Sequence, residues 1–330
     1  MFISTHRIIV AHAKWFIDPS QFPLRLDSTA VERTVVAIGV ALAAIAGAFL
    51  FDRLLRARSR STPPPQLTGT RGDLRNLLSW LLLILALHAS VPLVVAGVQR
   101  QLFVPNLSMP WTFVGGVIGL TQIVIALGFA YGVLTRVAAL ALAILFPAGA
   151  VFFGPVEMIE QLHMLGIAVA LGVLGRGAFS FDGILALTRP RLRNWIPAAI
   201  PAMRVLAGLG MVWVGFTEKL WNVPLTVAFL ERYPFNFMPA LGFTSFSNAD
   251  FAVAAGIAEV SIGALIASGF LTRWVILAAW VPFNLTLPYL GWVELVGHLP
   301  IYGIMAVLLF WGNGREVVRR LQELARGGTS

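Results

Sequence analysis

The chain has 330 residues, of which 58% are hydrophobic and only 12% are charged, and its formal net charge is +9. Soluble globular domains carry about 25% charged residues, so this chain has too little polar surface to cover a body exposed to water. The composition therefore predicts an integral membrane protein, and the absence of cysteine from the sequence excludes disulfides, thiolate metal sites and covalent haem attachment.

Nine apolar segments along the chain are predicted to form membrane-spanning helices. Each approaches the roughly 20 residues that a helix needs to cross the hydrocarbon core of a bilayer. The predicted fold class is therefore an all-α integral membrane protein with about nine transmembrane helices. In chain order, the segments fall at about 34–51, 77–97, 112–133, 137–153, 160–175, 198–217, 251–271, 274–290 and 296–312.

Part of the sequence occurs twice, at an offset of 137 residues. The stretch GVLTR at 132–136 returns as GFLTR at 269–273, and GPVE at 154–157 returns as GWVE at 291–294. The register holds from 119 to 171 without a net gap, which indicates an internal duplication. Each copy holds four predicted helices, an even number, so both copies enter the membrane from the same side. This predicts two parallel repeats related by a pseudo-two-fold axis along the membrane normal.

The duplication and the segments outside it divide the chain into six predicted regions. The stretch 57–75 is rich in proline, arginine and threonine, which is typical of a linker. The regions are an N-terminal interfacial segment with the first transmembrane helix (1–56), a cytoplasmic linker (57–75), the first repeat (76–178), a cytoplasmic connector (179–197), the second repeat (198–313) and an amphipathic cytoplasmic tail (314–330).

The basic residues predict the orientation of the chain. With the N-terminus outside, seventeen lysines and arginines fall on the cytoplasmic side and seven fall outside. This bias favours an extracytoplasmic N-terminus and a cytoplasmic C-terminus. Because the arginines lie in short segments between apolar runs, the net charge reflects topology, and we expect a lipid bilayer as the partner and no nucleic acid.

Several ionisable residues fall where a bilayer makes them costly, so they are candidates for a functional site. Glu259 and His298 are the sharpest candidates for a catalytic role, because the first copy has Gln122 and Gln161 at the equivalent positions. A carboxylate beside an imidazole suits proton-coupled chemistry. The predicted ligand-binding set, in the extracytoplasmic half of the second repeat, is Glu218, Lys219, Glu259, Glu294 and His298.

A purely structural interpretation of these residues is also open. In that case Glu218 and Lys219 form an ion pair at the membrane interface, and Glu294 caps a helix that begins near Pro300. His88, in the middle of the second predicted helix, is interpreted as a core histidine held by a hydrogen bond.

A metal site is a weaker alternative. Glu160 and His163 have the i, i+3 spacing of carboxylate-bridged metal bundles, and Glu294 with His298 forms a second Glu/His pair. Both motifs are short and common, and the second copy has Pro300 in place of His163. The sequence therefore predicts no metal.

The second repeat resembles the DoxX family of bacterial membrane proteins. The resemblance rests on Arg204 at the start of a helix that ends in GFTEKL at 215–220, on Glu259-x-x-x-Gly263, and on the GFLTR turn. It covers 202–312 well and roughly 75–178 more weakly. The resemblance implies tandem four-helix domains in a bacterial inner membrane, a redox-linked role that involves a quinone or a small electron donor, and a redox partner protein. It leaves open whether the chain is itself catalytic.

Two other functions suit the same sequence. A duplicated parallel bundle with intramembrane charges is also the pattern of a small-molecule permease. The long segment 218–250, or the basic cytoplasmic surface, suits a scaffold that anchors a soluble enzyme.

Overall fold

A computed structural model describes residues 13–24, 26–58, 71–185 and 194–312. The secondary structure of these residues is helical. Their β-structure is limited to an isolated bridge between Gln101 and Ser108. The helices are α1 (Ala13–Phe16), α2 (Ser28–Arg58), α3 (Arg71–Val98), α4 (Phe113–Tyr131), α5 (Thr135–Phe153), α6 (Pro155–Glu160), α7 (Leu162–Leu174), α8 (Phe181–Ile184), α9 (Ile196–Val214), a π-helical turn (Gly215–Leu220), α10 (Val223–Arg232), α11 (Asn248–Ser268), α12 (Thr272–Leu285) and α13 (Leu287–Trp311).

Seven of the described helices are long and apolar enough to cross a membrane, which is the architecture of a multi-pass membrane protein. They include Ser28–Leu55 of α2, most of α3 and α13, all of α4, α5 and α11, and α9 together with the π-helical turn. The other two predicted spans correspond to α7, with 13 residues, and α12, with 14. A helix of that length rises only about 20 Å against a hydrocarbon core of about 30 Å, so the nine predicted spans are not confirmed.

The boundaries of the predicted regions need adjustment where the structure describes them. Helix α2 continues to Arg58 and α3 already begins at Arg71, so the predicted linker 57–75 is partly helical. The connector 179–197 contains α8 and the start of α9. The central parts of both segments, the first twelve residues and the predicted tail 314–330 lie outside the described residues.

The segment 218–250, expected to be a long outer loop, is largely folded. Helix α10 buries Leu225, Phe229 and Leu230 along one side, because its apolar residues recur at helical spacing. Pro224 lies in the first turn of this helix, where a missing amide hydrogen costs nothing.

The helices pack as two groups of four with reciprocal contacts between the groups. In the first group α3 contacts α4, α4 contacts α5, and α7 contacts both α5 and α3. In the second group α9 contacts α11, α11 contacts α12, and α13 contacts both α12 and α9. Between the groups, α7 packs on α9 and α13 packs on α3, while α2 lies outside against α11.

Backbone conformation repeats at the offset seen in the sequence. Positive φ angles occur in four pairs of residues 137 positions apart, where the chain turns sharply between or after helices. The pairs are Gly132 and Gly269, Leu134 and Leu271, Gly154 and Gly291, and Gly175 and Gly312.

Candidate functional site

A cavity of about 390 Å³ lies between α6, α7, α9, α11, α12 and α13. We refer to this part of the molecule as the α1 end, because Ala13 and Trp15 of α1 also line the cavity. Most of the wall is apolar or aromatic, with Met211, Phe251 and Phe283 among its residues. The cavity is therefore suited to a largely apolar molecule.

Polar groups interrupt this apolar wall at a few places. Three of the five predicted ligand-binding residues line the cavity, namely Lys219, Glu259 and His298. Glu160 and His163 line it as well. The structure thus brings Glu259 and His298 to one cavity, whereas a role in binding or catalysis stays a prediction.

Part of the cavity wall continues onto the outer surface of the helix bundle. Ala258 on α11, and Val281 and Leu285 on α12, line the cavity and are also exposed. Of these two helices, α11 is long and apolar enough to cross a membrane. The cavity therefore lies close to the outer surface of a helix of membrane-spanning length.

Lys219 of the π-helical turn and Glu259 of α11 form an ion pair. The Lys219 Nζ atom lies 2.8 Å from Glu259 Oε2, and the two side chains are 12% and 30% exposed. The ion-pair partner of Lys219 in the structure is thus Glu259, and the neighbouring Glu218 carboxylate also acts on Lys219 electrostatically. Glu259 is eleven residues into α11, about 16 Å from its start, which is deeper than the two turns expected from the sequence.

The π-helical turn Gly215–Leu220 contains the neighbouring residues Glu218 and Lys219. Glu218 is 1% exposed, and its carboxylate lies close enough to act electrostatically on Lys14 and on Lys219. Its backbone carbonyl accepts a hydrogen bond from the Thr226 hydroxyl at 2.7 Å. Glu218 is thus buried within the protein.

Glu294 and His298 lie one turn apart in α13. The His298 Nδ1 atom is 3.3 Å from Glu294 Oε1, and the Thr286 hydroxyl donates to the same oxygen at 2.5 Å. Glu294 does not cap a helix near Pro300, because α13 begins at Leu287 and breaks only at Gly291. Glu294 is fully buried and holds the imidazole that faces the cavity.

Lys14 is the main site residue that the sequence did not reveal. Its ammonium lies 2.8 Å from Glu157 Oε1 and 2.5 Å from Glu160 Oε1, and Thr217 donates to Glu160 at 2.6 Å. Burial alone would lower the pKa of Lys14, but the carboxylates of Glu160, Glu218 and Glu157 together raise it above its ordinary value. The ammonium is therefore charged, and it anchors α1 to α6.

The aromatic residues of α1 complete the attachment of this segment. Trp15 lies over Gly297, where a β-carbon would collide with the indole ring, and its ring centroid is 6.0 Å from that of His298. Phe16 contacts Phe229 and Tyr233. Of the N-terminal segment that the sequence predicts to be interfacial, the structure describes residues from Ala13 onward, and Ala13, Lys14 and Phe16 are buried.

The first copy has no ionisable group at the position of Glu259. Gln122 is fully buried, accepts a hydrogen bond from the Phe103 amide at 2.9 Å and donates to the Gln101 carbonyl at 2.7 Å. The loop between α3 and α4 buries Leu102 and Phe103. Gln122 thus ties a loop in place, whereas Glu259 faces a cavity.

Two remaining candidates have ordinary partners. His88 places Nδ1 2.8 Å from the Ile84 carbonyl within α3, as expected for a core histidine. The Glu160 carboxylate is engaged by Lys14 and Thr217. Within the described ranges, no group of three or more His, Cys, Asp or Glu residues converges as metal ligands would.

Comparison of the chain with protein families, with curated proteins and with solved structures finds no match. The resemblance to the DoxX family accordingly rests on the sequence motifs alone.

Proposed function

We propose that this protein is a DoxX-like membrane subunit of a redox system and that its cavity binds a quinone or a similar amphiphilic ring compound. The observation that carries the proposal is the combination of an apolar, partly aromatic cavity with ionisable groups in its wall. A quinone needs aromatic or aliphatic surface for its ring and tail, and hydrogen-bonding groups for its two carbonyl oxygens. Lys219 and His298 can donate such hydrogen bonds, and Glu259 can exchange protons.

The size and position of the cavity support this proposal. Its volume of about 390 Å³ lies in the range of roughly 300–1,000 Å³ that small-molecule sites occupy. Val281 and Leu285 belong both to the cavity wall and to the exposed outer face of α12. A lipid-soluble molecule can therefore reach the site from the bilayer with its tail still among acyl chains.

We also propose that the two groups of four helices are parallel repeats and that the α1 end is extracytoplasmic, in a bacterial inner membrane. The shared positive φ angles at an offset of 137 residues support the repeat. The reciprocal contacts of α7 with α9 and of α13 with α3 are those expected from a two-fold arrangement. The distribution of arginine supports the orientation.

Photolabelling tests the ligand. The probe is a photoreactive benzoquinone with a short isoprenoid tail, added to the full chain in mild detergent. We expect labelling of cavity residues such as Met211 or Ile301, competition by unlabelled quinone, and at least about tenfold weaker labelling in Glu259→Gln. Glu231→Gln is the matched control, because Glu231 is an exposed carboxylate on α10. Labelling that neither competitor nor Glu259→Gln reduces would contradict the proposal.

A second variant covers the case in which Glu259→Gln does not fold. That substitution leaves the buried ammonium of Lys219 without its carboxylate, which is strongly destabilising. Replacing both residues, by Lys219→Gln with Glu259→Gln, removes the whole ion pair and should fold. If this double variant folds and retains full labelling, the assignment of the pair to quinone binding is wrong.

A further inference from the structure

A chain of hydrogen-bonded charged groups leads from the surface at the α1 end to the cavity. Its outer member is Glu157, whose side chain is 24% exposed and accepts a hydrogen bond from Asn106 at 3.2 Å. Lys14 then bridges Glu157 and Glu160 with contacts of 2.8 and 2.5 Å. Glu160 lines the cavity, although its side chain is only 3% exposed to solvent.

The ionisable groups around this hydrogen-bonded network come from seven elements. Helix α1 contributes Lys14, α6 contributes Glu157 and Glu160, α7 contributes His163, and the π-helical turn contributes Glu218 and Lys219. Helix α11 contributes Glu259, and α13 contributes Glu294 and His298. At the edge, Arg33 of α2 donates to the Leu220 carbonyl at 3.3 Å.

Carboxylates outnumber cations in this set. The five glutamates face the two lysines and Arg33, with the two histidines as titratable groups. An excess of negative charge in a low-dielectric interior is costly, so part of it is neutralised by bound protons. The cluster is therefore able to store and exchange protons.

A neighbouring amide connects the cluster to the interior of the cavity. Gln161 follows Glu160 in the chain, lines the cavity and is 5% exposed. No hydrogen-bond donor in the described part of the chain reaches its Oε1 atom. Buried polar atoms generally have a partner, so Gln161 is suited to bind a water molecule or a ligand hydroxyl beside Glu160.

We propose that Glu157, Lys14 and Glu160 form a proton path that exchanges protons between the cavity and the water at the α1 end. Glu160 gives its proton to a group in the cavity, the Lys14 ammonium then protonates Glu160, and Lys14 regains a proton from Glu157, which takes up its own from solvent. The path rests on the proposed function only in that a quinone-type ligand would use it, since quinones take up protons when reduced.

The path can be tested without any ligand, because Trp15 reports on His298. Their rings are 6.0 Å apart, and a protonated imidazole quenches indole fluorescence. The full chain in detergent is mixed rapidly from about pH 8 to about pH 5, the range in which histidine changes charge. The signal of interest is the fluorescence change that Trp15→Phe removes.

We expect Glu157→Gln to slow this phase by about tenfold or more and to leave its amplitude unchanged, because the entrance of the path is lost while the groups around the cavity are unchanged. Glu157→Asp keeps a carboxylate and should restore most of the rate. Glu231→Gln, an exposed carboxylate on α10, should have no effect. An unchanged rate in folded Glu157→Gln would overturn the path, and so would an equally slow Glu157→Asp.

The outcome is independent of photolabelling by quinone. If the fluorescence phase is slow in Glu157→Gln but quinone does not label the protein, the proton path is supported and the quinone ligand is rejected. If quinone labels the protein but the rate of the phase is unchanged in Glu157→Gln, the path is rejected and the ligand is supported.

Discussion

Leu134 and Leu271 have the same left-handed backbone conformation, with φ 49° at both residues, although 137 positions separate them. Each residue immediately precedes a helix, α5 or α12, and neither caps that helix with its side chain. A left-handed conformation costs a residue with a β-carbon about 1–2 kcal/mol. The two similar stretches GVLTR and GFLTR thus share a strained backbone turn as well as residues.

This strain predicts that the usual order of stability of alanine and glycine variants is reversed at these two positions. At positions 134 and 271, the glycine variant should be about 1 kcal/mol more stable than the alanine variant, because both lose the leucine side chain and only alanine keeps the strain. Thermal unfolding in detergent measures the difference. At Leu140, which is exposed in the middle of α5, alanine should instead be the more stable by about 1 kcal/mol.

The contact between Trp15 and Gly297 predicts a large effect from a single methyl group. A β-carbon at position 297 would overlap the indole ring, so Gly297→Ala must displace the Trp15 side chain and weaken the packing of α1. We expect a loss of about 1–3 kcal/mol in the free energy of unfolding, which is typical of overpacking. Protection of position 13 from a thiol reagent, measured in an Ala13→Cys background, should fall at the same time.

Two variants separate this collision from the general effect of replacing a helical glycine. Gly47→Ala in α2 adds the same methyl group where no atom lies within 4 Å, and it should be tolerated. Combining Trp15→Ala with Gly297→Ala removes the obstacle. If the two losses simply add, Gly297 and Trp15 do not interact as described.

Lys14 is expected to be essential for stability because it neutralises the buried carboxylate of Glu160 and the partly exposed carboxylate of Glu157. Lys14→Met should cost about 3–5 kcal/mol, the usual penalty for leaving buried charges uncompensated. Adding Glu160→Gln to Lys14→Met should recover part of the loss, and unfolding by heat measures both. Equal stability of Lys14→Met and the unsubstituted chain would show that Lys14 does not anchor α1.

The pH dependence of this contribution follows from the direction of the pKa shift. The folded protein holds the pKa of Lys14 above its ordinary value of 10.5. The stabilisation is therefore complete below pH 10.5 and is lost only as the pH rises further toward the folded pKa. The difference in the free energy of unfolding between Lys14→Met and the unsubstituted chain should thus not shrink between about pH 7 and pH 9 through any titration of Lys14 itself.

Most of the helices could be predicted from the sequence, because a long apolar run indicates a segment that is shielded from water and must satisfy its backbone hydrogen bonds as a helix. All nine predicted segments contain a helix. The breaks at Gln161 and Gly291 lie beside boundaries between predicted segments, but the backbone geometry at each break could not be predicted from the sequence. Helix α10 was missed, because its amphipathic pattern resembles that of a loop with scattered apolar residues.

The candidate site was predicted in part. Glu259 and His298 could be singled out because the first copy has glutamine at both positions, and the structure places both in the cavity wall. The partners could not be predicted, since pairing depends on distant packing. Lys219 forms an ion pair with a residue 40 positions away, and Lys14 contacts α6 more than 140 residues later.

The cavity itself can be tested by filling it without changing any charge. Ala255 on α11 lines the cavity, and Ala254, the next residue along, is exposed on the outside of the same helix. Ala255→Phe should reduce quinone photolabelling by about tenfold or more, because the added ring occupies space that a ligand needs. Ala254→Phe adds the same ring toward lipid and should label normally. Both variants should keep the Lys219–Glu259 ion pair, so unequal labelling reports on space alone. Full labelling of a folded Ala255→Phe protein would mean that quinone binds elsewhere.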